Sequence, residues 1–141
     1  IPTKTVPQGI TAMMNVDFDA SAAEEITAAM TESLSTVVTA QVTYAARDSD
    51  FDGFDIKAGD YLALEEGKLF GTDGSLSTLL ERLAASAQEK ASSFISLYFG
   101  EDVSQEDAEQ AGKFFEAACP DAEVAVLSGG QPVYYYIISM E

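Results

Sequence analysis

SGGQPVYYYIISME, residues 128–141, is the stretch on which the reading of this chain turns. Successive side chains of a strand point to opposite faces. Val133, Tyr135 and Ile137 would therefore share one face and Tyr134 and Tyr136 the other. Apolar and aromatic groups on both faces mark a strand covered from both sides, so this ending is expected to be core. The Ser-Gly-Gly-Gln-Pro before it is turn chemistry that returns the strand to a sheet.

The rest of the sheet is sought outward from there. EVAVL, residues 123–127, reads as the preceding strand, and SFISLYFG, residues 93–100, is a short continuous apolar run of the kind an interior strand carries. Between 36 and 47 the pattern alternates: Val38, Ala40, Val42, Tyr44 and Ala46 against Thr39, Gln41, Thr43 and Arg47, which predicts a half-buried strand. Residues 61–64 and 68–70 flank a Glu-Glu-Gly and read as a hairpin. Three segments switch to helical spacing. Ile26, Met30, Leu34 and Val37 form one stripe, opened by Ser21 and Glu24 at capping-box distance. Leu76, Leu79, Leu80, Leu83 and Ala87 form a second, starting near Asp73 or Ser75. Ala108, Ala111, Phe115 and Ala118 form a third, opened by Ser104 and Asp107 and stopped by Pro120. Residues 1–9 hold two prolines and a glycine and read as a shaped loop, followed by one or two helical turns over 10–16. The expected order is helix, three strands, helix, strand, helix, two strands. This is one α/β sandwich domain over residues 1–141, a mixed sheet packed with about three helices.

The bulk properties agree with one compact domain. The chain has 141 residues, 47% of them apolar, enough to bury a core and too few for two comfortable domains. No apolar run approaches the roughly 20 residues of a membrane span, and no basic segment followed by an apolar one suggests a secretion signal. The formal charge is -17, from 24 acids against 7 bases. Such a field repels phosphate backbones and anionic lipid, so no nucleic-acid partner and no membrane insertion is expected. The single cysteine, Cys119, fits a reducing compartment, and a cytoplasmic location is expected. The absence of histidine removes the commonest general base. The chain starts at Ile1 and not at Met, so a piece of a longer protein is expected.

Few segments carry chemistry. In DSDFDGFDIKAGD, Asp48, Asp50, Asp52 and Gly53 match positions 1, 3, 5 and 6 of a calcium-binding EF-hand loop. The match then fails, with Gly59 where a bidentate Glu is needed and Asp55 where an apolar residue is needed. An acidic hairpin or loop is the better reading. Neither glycine-rich segment has phosphate-loop spacing. Cys119 has no basic neighbour to lower its pKa and reads as a small buried residue. In IPTKTVPQG, two threonine hydroxyls, Lys4 and a Gln-Gly lie between prolines. This segment reads either as a loop that meets an anion or a partner, or as an entry loop whose polar groups cap the next turn.

Four blocks resemble a known family: IPTKTVPQGITAMMNVD, QVTYAARDSDFDGFDIKAGDYLALEEGKL, LYFGEDVSQEDAEQA and SGGQPVYYYIISME. In order and spacing they look like the C-terminal region of the dihydroxyacetone-kinase-like subunits of bacterial fatty acid kinase, distantly similar to DegV proteins. The resemblance implies an ATP- and magnesium-binding domain elsewhere in the parent protein and no cofactor in this piece. It implies a DegV-type fatty-acid-binding protein as partner, which presents an acyl carboxylate for phosphorylation. No catalytic or metal-binding residue is expected in this piece, and the parent is expected to be an ATP-dependent fatty acid kinase. The residues matching the family's blocks are Thr3, Lys4, Thr5, Gln8 and Gly9, then Gly129, Gly130, Gln131 and Pro132, then Arg47; these are the expected partner or ligand loops. Two other readings stay open: a DegV-like module that binds fatty acid itself, and a structural domain that supports homodimerisation.

Overall fold

The computed structural model describes residues 1–51 and 53–141. The chain enters through helix α1 (Val6–Met14), where Thr5 is the N-cap and its Oγ1 accepts from the Gln8 amide at 3.3 Å. A proline in the first turn suits this start, since its missing N–H would have no partner there. Helix α2 (Ala23–Ser33) runs into a short 3₁₀ turn at Leu34–Thr36. Then come β1 (Val38–Tyr44), β2 (Ser49–Phe51), β3 (Phe54–Ile56), β4 (Tyr61–Glu65) and β5 (Lys68–Asp73). Helix α3 (Leu76–Glu89), β6 (Phe94–Phe99), α4 (Gln105–Ala118), β7 (Glu123–Ser128) and β8 (Tyr136–Met140) complete the chain.

Six strands form one sheet in the order β5-β4-β1-β8-β6-β7. Among the described residues only β6 and β7, joined by α4, pair in parallel; the other neighbours are antiparallel, so the sheet is mixed. One face carries the main core. Ala40, Val42, Ala63, Ile95, Leu97 and Ile138 are wholly buried there against Leu79, Leu83, Ala108 and Phe115 of α3 and α4. Gly112 lets α4 approach β7, because a Cβ would stand 2.7 Å from Val126 Cγ2. The opposite face is covered less evenly. α1 lies over its middle, where Thr5 Oγ1 meets Thr39 Oγ1 at 2.9 Å and Thr11 donates to the Glu141 carboxylate.

The α/β sandwich and its mixed sheet are as the sequence suggests, with four corrections. First, four α-helices, not three, occur among the described residues, because α1 begins at Val6 inside the segment read as a loop. Thr5 and Gln8 stand at capping-box spacing, and that signal outweighs the prolines. Second, α2 is not opened by Ser21. Its N-cap is Ala22 without a side-chain bond, and Glu24 and Glu25 steady the positive helix end instead. Its stripe is only half-buried at Ile26, Met30 and Leu34, since α2 packs mainly on α1 and the 3₁₀ turn. Third, the expected strand order lacks two strands: the acidic hairpin suggested after β1 forms, as a separate two-stranded ribbon, β2 with β3, that touches β5. Fourth, the last strand starts at Tyr136 and not at Val133. Val133 takes φ +71°, a left-handed conformation that no strand residue adopts. From Tyr136 onward the expected double covering holds: Tyr136, Ile138 and Met140 are buried toward α3 and α4, and Ser139 is buried on the other face.

Candidate functional site

The N-terminal candidates divide by what their polar atoms do. Thr5 Oγ1 is taken by the Gln8 amide and the Thr39 hydroxyl. Gln8 Oε1 accepts from the Lys4 amide at 2.8 Å, and its Nε2 reaches the Leu34 carbonyl at 3.5 Å. Both side chains are occupied in starting α1 and tying it to the 3₁₀ turn and β1. Gly9 is an ordinary helical residue with open space where a Cβ would be. Thr3 and Lys4 remain exposed at the head of the helix.

Beside them α1 turns a row of apolar side chains to solvent. Val6, Met13 and Met14 are 67%, 66% and 78% exposed, Ile10 lies between them, and Phe18 just beyond is 91% exposed. Thr3, Lys4, Val6, Ile10 and Met13 line an open groove along this row. On its inner side α1 leaves a cleft of about 420 Å³ over the free face of β6, β7 and β8, walled by Pro7, Ile10, Phe94, Tyr98 and Leu127. Exposed apolar groups gathered in one place, in a chain as acidic as this, make this face a candidate interaction surface.

The second set of candidates lies elsewhere. The Gly129 and Gly130 amides both donate to the Phe99 carbonyl, and Gln131 Nε2 donates to the carbonyls of Tyr98 and Tyr134 at 2.9 and 3.3 Å. Gly130 needs its positive φ of 64°, and a Cβ on Gly129 would strike the Gln131 amide. The turn is thus a joint that locks β7, β6 and the start of β8, with Pro132 exposed at its tip. It sits near the Val42–Tyr136 end of the β1–β8 ladder, whereas Thr5 packs at Thr39, opposite Ser139. Arg47 is exposed beyond the end of β1, also away from Lys4. The fold therefore does not gather the ten candidates into one site.

The acidic segment is the ribbon of β2 and β3. Asp48 Oδ1 accepts from the Ala58 amide at 2.7 Å, and Lys57 pairs with Asp55 at 3.2 Å. The Asp55 hydrogen bond first, then the charges of Asp55, Asp48 and Asp50, hold the Lys57 ammonium above its ordinary range. Strands, not helices, flank the loop, and Asp52 of the calcium pattern lies outside the described residues. Cys119 is buried, with its thiol pushed up by burial and its Sγ 3.9 Å from the Ala84 carbonyl oxygen, as expected of a packing residue.

One cavity joins residues that no sequence pattern links. About 440 Å³ opens between the first turns of α3 and α4, floored by Tyr61, Tyr135 and Tyr136 and edged by Asp102, Asp107 and Gln110. Tyr135 packs on Tyr61 and Tyr44 with ring centroids 5.6 and 5.9 Å away. Burial first, then Tyr61, Tyr44 and Asp102, raise its pKa. Burial and the nearby Asp107 push Tyr136 up to about 12. These residues come from four distant segments, so spacing along the chain could not bring them together.

The chain is 37% identical over 143 residues to protein YloV of Bacillus subtilis and 36% identical over 141 residues to an uncharacterised protein of Staphylococcus aureus. All of this chain is covered in each case, but only 25% and 26% of those proteins, so it spans about a quarter of their length. Its fold is similar to the fatty acid kinase B3 protein of Streptococcus pneumoniae loaded with linoleic acid: TM-score 0.54, 14% identity, 85% of this chain and 50% of that one. It is also similar to a fatty acid binding DegV family protein of Streptococcus agalactiae: TM-score 0.57, 15% identity, 94% of this chain and 54% of that one. At that identity the likeness is one of fold, and it bears out the expected DegV-like architecture. The family model for the C-terminal region of FakA-like fatty acid kinase subunits matches residues 1–141 from end to end. The chain belongs to this FakA-like C-terminal family.

Proposed function

We propose that this domain is a non-catalytic docking element of a fatty acid kinase subunit. It would engage a DegV-type fatty-acid-binding protein so that the bound acyl carboxylate meets ATP and magnesium held in another part of the parent protein. That is a positioning contribution to phosphoryl transfer. The observation that carries this reading is the exposed apolar row of α1, Val6, Ile10, Met13 and Met14, with Lys4 at its head. The Lys4 ammonium adds a positive point in a field that is negative almost everywhere else. In this reading Thr5 and Gln8 hold the surface in shape, the Gly129–Pro132 turn is a structural joint away from it, and Thr3 and Lys4 are the two of the ten candidates that touch the partner.

The test is calorimetric titration of the domain with the DegV-type protein encoded in the same genome. Val6→Glu and Met13→Glu alter exposed side chains, so the fold is retained. Each should weaken binding by about tenfold, the loss typical of a central apolar contact. Full affinity in both variants, or no binding by the unaltered domain, overturns the reading.

A second reading has its own observation. The apolar cleft between α1 and the free face of β6, β7 and β8 would suit an acyl chain held by this domain itself. Mass spectrometry of the purified domain separates the two: co-purified fatty acid favours the second, and its absence together with partner binding favours the first.

A further inference from the structure

We propose that the tyrosine-floored cavity between α3 and α4 receives the guanidinium of an arginine on a protein partner. Its walls and rim are of the right chemistry. Tyr61, Tyr135 and Phe114 offer aromatic surface, and Asp102, Asp107 and Gln110 edge the opening. Guanidinium stacks on aromatic faces and pairs in a fork with carboxylates, so one arginine satisfies both features at once. Among the described residues no lysine or arginine lines the cavity, and neither carboxylate is held in an ion pair by the protein's own cations.

The opposing effect is the pair of helix N-termini. Each contributes roughly half a positive charge, together about +1, against -2 from Asp102 and Asp107. The carboxylates prevail, and the overall charge of -17 adds to the attraction. The other cationic occupant, a metal ion, is the poorer fit. Among the described residues no three carboxylate or thiol groups converge as a metal ion requires, and an ion makes no use of the aromatic floor. A free anionic ligand would face the net negative rim. This inference rests on the chemistry of the cavity and not on the α1 surface or on the identity of the partner there.

The test uses the peptide acetyl-Gly-Arg-Gly-amide, titrated into the ¹⁵N-labelled 141-residue chain at low ionic strength. The control is the same peptide with citrulline, which keeps the shape and loses the charge. Saturable amide shifts confined to the first turn of α4 and to Tyr135 are expected. Asp102→Asn, at an exposed position, should weaken binding about fivefold, and added salt should weaken it further. Equal binding of the citrulline peptide overturns the proposal. So do shifts scattered over the acidic surface that persist in Asp102→Asn, or no saturable shift at all.

Discussion

Tyr136 sets a phenol inside the main core. Its ring is buried, and its hydroxyl lies 3.4 Å from the Asp107 carbonyl, which can accept its proton. Burial, then the charge of Asp107, lifts the phenol from 10.0 to about 12. The native state therefore holds this proton more tightly than the unfolded chain. The corresponding stability is complete below pH 10 and is lost as pH rises through the native value. Urea unfolding should give constant stability from neutral pH to about pH 9 and a fall of about 2 kcal/mol toward pH 12. Tyr136→Phe should flatten much of that fall; an unchanged fall would mean that other groups cause it. Tyr136 was legible as core because alternation places it on one face with Ile138 and Met140, whereas Tyr134 and Tyr135 precede the strand and are only half-buried. The role of Gln131 was not legible, since its bonds go to Tyr98 and Tyr134, and Tyr98 is far away in sequence. Gly100 is a similar case: a Cβ there would come within 2.6 Å of the Gln131 carbonyl oxygen, a crowding that exists only once the turn has closed on β6.

Among the elements, α1 separates structural from proposed contact roles most clearly. Thr5 caps the helix and also satisfies the buried Thr39 hydroxyl. Thr5→Ala removes both bonds, and the cap alone is worth about 1 kcal/mol. The domain should lose about 1–2 kcal/mol in urea unfolding, with partner affinity reduced only as far as the folded fraction falls. The Lys4 side chain has no partner among the described residues, so Lys4→Ala should change stability by less than about 0.5 kcal/mol. If both variants behave alike, the division of the segment into scaffold and contact is wrong. The long helices α3 and α4 were readable because each carries a full apolar stripe that the sheet buries, and serine caps open both. α1 and α2 were less so. α2 leans on α1 and the 3₁₀ turn, so its stripe is only half-buried. α1 leaves much of its apolar side in solvent, and no periodicity can say which side of a helix a fold will leave uncovered. The cavity beside Tyr135 was hidden for a related reason, because it exists only where α3, α4 and the start of β8 come together.

Over the whole molecule charge dominates. Seven cations face 24 acids. Two lysines are already engaged at the surface, Lys57 with Asp55 and Lys90 with Glu65, and Arg82 lies over the Phe70 ring at 5.7 Å. The exposed Lys57–Asp55 pair contributes little, and the Lys90–Glu65 pair is only partly exposed. Self-repulsion among the remaining carboxylates acts over a screening length of about 30 Å at 0.01 M salt and about 8 Å at 0.15 M, so at low salt it reaches across much of the surface. Repulsion should therefore outweigh the few attractive pairs, and salt should stabilise the fold. Urea, being uncharged, leaves ionic strength under separate control. The unfolding midpoint should rise between 0.01 and 0.15 M sodium chloride by the equivalent of about 1 kcal/mol. A midpoint that falls with salt would mean that the ion pairs prevail and that the acidic surface is better balanced than its composition implies. Arginine binding at the tyrosine cavity must move in the opposite sense, because salt screens an attraction there. Measured on one sample, a fold that tightens with salt while its cationic ligand loosens would trace both effects to the same excess of carboxylates.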